Sequence, residues 1–132
     1  MTRTTLATIL TLLTSITLAQ TFTPTDVMHH YANHADAIII TCPTYISNNF
    51  THVACAELNG SSRLTRVTAE SFVSYYTNVT WTDPWTESHA GDTAWYHRFL
   101  IVNDLYPFAI TTFEVRSYES IVFISALWEE WE

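Results

Sequence analysis

Lysine is absent from this chain, cysteine occurs twice, and no apolar run beyond the N-terminal segment approaches the length of a membrane span. The missing lysine leaves five arginines against thirteen acidic residues, a formal net charge of −8. A chain this acidic repels phosphate backbones and anionic lipid, which argues against nucleic acid and anionic membranes as partners. A basic protein, a small neutral or cationic ligand, or a cation is compatible with that charge. The scarcity of cysteine rules out a thiolate-rich zinc centre, which needs more ligands at closer spacing. Also missing are internal repeats, low-complexity segments, interdomain linkers and any recognisable catalytic constellation. What is present is a folding composition, 48% hydrophobic and 14% aromatic with only 14% charged, unlike that of a disordered chain.

The N-terminus reads as a secretory signal. Arg3 is the only charge before an uncharged run from Leu6 to Leu18, and Thr17-Leu18-Ala19 supplies small residues for cleavage after Ala19. That run is shorter than the ~20 residues a spanning helix needs. No cysteine follows the cleavage point to carry a lipid. Residues 1–19 are therefore expected to be a signal peptide and residues 20–132 a single domain, with no integral membrane segment and a secreted or periplasmic destination. In an oxidising compartment Cys42 and Cys55 are expected to form a disulfide. Closing a loop of about 14 residues stabilises a fold by roughly 3 kcal/mol in chain-entropy models.

Local signals give the order of elements. Thr23-Pro24-Thr25-Asp26 combines a cap, an N-terminal proline and a first-turn acid, predicting a helix over Pro24–Asp36 with Val27, Tyr31 and Ala35 inward. The β-branched run Ala37–Cys42 predicts a buried strand, with Thr51–Glu57 as its antiparallel partner. Asn59–Ser62 is a turn cluster, after which Thr68 is read as the cap of a second helix. Residues Trp81–Thr93 read as a long loop. Trp95–Val102, Phe108–Val115 and Ile121–Leu127 then form an antiparallel meander. Centring its first hairpin near Tyr106 would set Arg98 opposite Glu114. The acidic tail Trp128–Glu132 is left unassigned.

The expected architecture is α+β, in the order α-β-β-α-β-β-β, with about five antiparallel strands and two helices on one face. By element order alone this resembles the cystatin-like, nuclear-transport-factor-like or profilin-like folds, a likeness that transfers no function.

Three clusters are candidates for chemistry. Asp26, His30 and His34 share a stripe at four-residue spacing, with His29 adjacent, and such a pair of histidines can share a divalent metal such as zinc or copper. Glu87, His89, Asp92, His97 and Arg98 hold the minimum for acid–base hydrolysis. Trp81, Trp85, Trp95 and Tyr96 flank one loop and are candidates for a ligand-binding platform. Three sequons, at Asn49, Asn59 and Asn78, matter only in a glycosylating host. Weighed together, these features predict an exported, non-enzymatic binding or interaction protein, acting through a concave sheet face or the tryptophan-rich loop. A metal-binding protein and a small hydrolase are the alternatives.

Overall fold

A computed structural model describes residues 22–126. The expected signal segment and the acidic tail lie outside the described residues. Helix α1 spans Pro24–Ala35 and opens with a capping box. The Thr23 N–H donates to Asp26 Oδ2 at 2.9 Å, and the Asp26 N–H donates to Thr23 Oγ1 at 3.3 Å. The helix stops at Asp36, whose φ of 56° turns the chain directly into strand β1, Ile38–Ile40. A short helix α2, Thr44–Ser47, leads to β2, Val53–Asn59, and then to the long helix α3, Ser62–Tyr75. Five strands follow: β3 (Val79–Trp81), β4 (Thr86–Ala90), β5 (Thr93–Val102), β6 (Tyr106–Arg116) and β7 (Glu119–Ala126).

All pairings are antiparallel, in the order β1-β2-β7-β6-β5-β3, with β4 also hydrogen-bonded to β5. The α+β architecture and the C-terminal meander are as expected. Among the described residues, however, the sheet has seven strands rather than about five. Of the two extra strands, β4 lies within the region read as a loop, and β3 overlaps that region only at Trp81. Every residue of β4 is exposed, so it lacks the alternation that reveals a half-buried strand.

Other boundaries move for local reasons. Helix α3 begins before Thr68 because Ser61 caps it, accepting from the Leu64 N–H at 3.3 Å. Thr68 lies inside the helix, where its hydroxyl bonds back to the Thr65 carbonyl at 2.9 Å. The β5–β6 hairpin turns at Asn103 and Asp104, both at positive φ, so Val102 pairs with Tyr106. That register places Ile110, not Glu114, opposite Arg98. Glu114 instead accepts the Ser62 N–H at 2.8 Å, at the positive end of α3.

Alternation along the strands sorts the core into two layers. On one face, Ala54, Ala56, Leu100, Phe108, Ile110, Val122 and Ile124 pack with Val27, Met28 and Tyr31 of α1 and Phe72 and Val73 of α3. On the other, Cys55, Phe113, Ile121 and Phe123 are covered by Ile46 and Phe50 from the α2 segment. The expected helices on one face are therefore joined by a smaller layer on the opposite face. The Cys42–Cys55 disulfide ties that layer down, with Cα atoms 5.2 Å apart. No helix among the described residues is long and apolar enough to cross a membrane.

Candidate functional site

One groove among the described residues follows from how the chain leaves β1. Ile38, Ile39 and Ile40 pair with Glu57, Ala56 and Cys55, after which Thr41 and Cys42 turn away toward α2. Val53 and Ala54 at the start of β2 pair with β7 but lie beyond the end of β1. The groove, of about 710 Å³, opens at this point. Ile39, Ile40 and Thr41 form one side, Ser47 to Thr51 another, and Thr25 from the first turn of α1 closes a corner. The disulfide and Val53 contribute to its lining as well.

The sequence sets the shape of this groove locally. The α2 turn is held by the Ile46 and Ser47 N–H groups bonding to the Pro43 carbonyl at 2.9 and 3.0 Å. The Asn49 side-chain amide donates to the Tyr45 carbonyl at 2.7 Å, fixing the following turn. Among the described residues the lining contains threonine, serine, asparagine and apolar side chains, and no ionisable side chain. Such a surface contacts a ligand through apolar area and neutral hydrogen bonds.

Strand β1 itself is a correction to expectation. It was predicted as buried, yet Ile38 is 66% and Ile39 42% exposed, because β1 is the edge of the sheet. An uncharged β-branched run fits a central strand and an unprotected edge equally, and only the count of partners separates them. Sequence reasoning missed the site for this reason.

The histidine stripe faces α3. His30 Nδ1 lies 3.3 Å from the Tyr76 hydroxyl, and His34 Nε2 lies 3.0 Å from Ser71 Oγ. Asp26 uses its carboxylate to cap α1, accepting from both the N–H and the hydroxyl of Thr23. Among the described residues no group of three His, Cys, Asp or Glu side chains is arranged to hold a metal ion.

The aromatic residues divide between the two faces of the sheet. Trp81 and Trp85 lie together, with ring centroids 5.7 Å apart, and the Arg98 guanidinium stacks 4.2 Å over Trp81. The Trp85 indole donates to Glu70 Oε1 at 2.8 Å, and Arg98 donates to the same oxygen at 3.2 Å. These contacts fasten the β3–β4 connection to α3. Trp95 stacks on Phe113 at 3.9 Å in the opposite layer. Tyr96, its neighbour in sequence, lies under Arg66 at 4.1 Å and donates to Glu87 at 3.2 Å. The structure therefore does not bring the four aromatics into one platform.

The acid–base group is divided in the same way. His89 lies 3.5 Å from Glu87 on exposed β4. His97 sits on the opposite face of β5 from Tyr96 and Arg98, beside Phe99. Burial, and then the nearby Glu87 carboxylate, raises the pKa of the Tyr96 hydroxyl above its ordinary value. Comparison with protein-family models, with curated proteins and with solved structures finds no match for this chain.

Proposed function

We propose that this chain is an exported binding protein that acts without catalysis, and that its ligand contacts the groove between β1 and the α2 segment. The observation that carries this reading is the groove itself, about 710 Å³ in volume, whose lining among the described residues consists of neutral side chains. General acid–base and nucleophilic chemistry need titratable groups at the reacting centre, whereas apolar and amide contacts suffice for binding. The disulfide in the lining of the groove fits export to an oxidising compartment.

A thermal-shift screen of neutral sugars, lipids and short peptides tests the reading. One class should raise the melting temperature saturably, and Asn48→Trp, which fills the groove from an exposed turn position, should abolish the rise. The reading fails if no class stabilises the protein, or if stabilisation is indifferent to Asn48→Trp.

A further inference from the structure

The two margins of the sheet differ in how they are protected. β4, at one margin, carries Glu87 and His89 on a fully exposed strand, and charge of this kind discourages another strand from pairing. At the other margin Ala37–Thr41 is uncharged and free of proline, and β1 pairs with β2 alone among the described residues. Natural sheets seldom leave an apolar edge without a charge, proline, bulge or covering segment. Here no strand or charge among the described residues guards the edge, which runs directly into the groove, so a chain laid along β1 would meet main-chain partners first and a side-chain pocket next.

We infer that β1 receives an extended segment of a partner protein by strand addition. The segment has alternating apolar side chains and basic flanks. Main-chain hydrogen bonds to the outer edge of Ile38–Ile40 set its direction, and one apolar side chain enters the groove beyond Ile40. β1 spans only three residues, so the backbone ladder is short and the groove supplies the remaining contact. Charge selects the flanks. Asp36 precedes the strand, Glu57 lies opposite Ile38, and the whole chain carries −8, with no lysine to offset it. A second copy of this chain fits the edge less well. Symmetric pairing of two three-residue strands would join two strongly acidic molecules and leave each groove empty.

This inference rests on the binding reading above, and the experiment separates the two. The probe is a short acetylated peptide of alternating valine and threonine between terminal arginines, titrated into the disulfide-bonded protein with anisotropy and amide chemical shifts as readouts. Binding should perturb the Ile38–Thr41 amides and weaken at least about tenfold when alternate peptide nitrogens are methylated, since methylation removes ladder donors without altering the protein. Glutamates in place of the arginines should weaken it as well. Ile38→Lys, at a position 66% exposed, should reduce affinity while the near-ultraviolet circular dichroism stays unchanged.

Absence of binding, or binding indifferent to both N-methylation and Ile38→Lys, overturns strand addition. If sugars or lipids still stabilise the protein through the groove, the binding reading survives that result. A concentration-dependent dimer that Ile38→Lys abolishes assigns the edge to a second copy and also overturns the inference.

Discussion

Reducing the Cys42–Cys55 bridge should cost this domain a substantial part of its stability. The two residues are thirteen apart, and a loop of this size corresponds to roughly 3 kcal/mol of denatured-state entropy. The structure adds a local effect, because the bridged segment carries Ile46 and Phe50 onto Phe113 and Phe123. Loosening it weakens that packing on one face while leaving the α1–α3 layer in place. For a domain of about a hundred residues, 3 kcal/mol corresponds to a fall in melting temperature of roughly 10–20 °C. Cys55 is almost wholly buried, so the comparison uses protein reduced in denaturant and refolded under reductant, with Cys42→Ala/Cys55→Ala as a second form. Urea unfolding followed by tryptophan fluorescence gives the free energy. A loss below about 1 kcal/mol in both forms would refute the reasoning, because the loop would then be ordered without its staple.

Tyr31 sets an alkaline limit. Burial pushes its hydroxyl up to about 12, against which the hydrogen bond to Thr68 acts only weakly. The folded pKa lies above the unfolded one, so the contribution to stability is complete below pH 10 and is lost as pH rises toward 12, by about 3 kcal/mol. Tyr31→Phe should lose about 1 kcal/mol at neutral pH with the hydrogen bond but show a flatter alkaline limb, measured by urea unfolding across that range. Phe72→Ala empties a buried site between the helices and should cost about 3–5 kcal/mol; a cost under about 1 kcal/mol would contradict the packing described. Tyr118 sits at φ 62° in the β6–β7 turn and is exposed, so Tyr118→Asn should raise the melting temperature, through relief of roughly 1 kcal/mol of backbone strain.

Local chemistry in the chain determined much of this protein. The Thr23–Asp26 box makes the start of α1 self-sufficient, because donor and acceptor lie within one turn. The three C-terminal strands were legible because each is long, apolar and separated from the next by a short polar turn. The disulfide was legible because a chain with only two cysteines leaves each of them one natural partner.

Tertiary structure decided what depends on neighbours distant in sequence. Whether Ile38–Ile40 lies inside or at the margin depends on which strands flank it, and no residue in that run records the answer. Trp95 and Tyr96 look like one cluster in sequence, yet strand alternation sends them to opposite faces. Asp26, His30 and His34 share a stripe, but the polar partners of the two histidines, Tyr76 and Ser71, come from the C-cap and the body of α3, about forty residues away. The candidate site has the same origin. A groove needs the end of one strand, the start of another and a helix turn to meet, and only folding brings those three together.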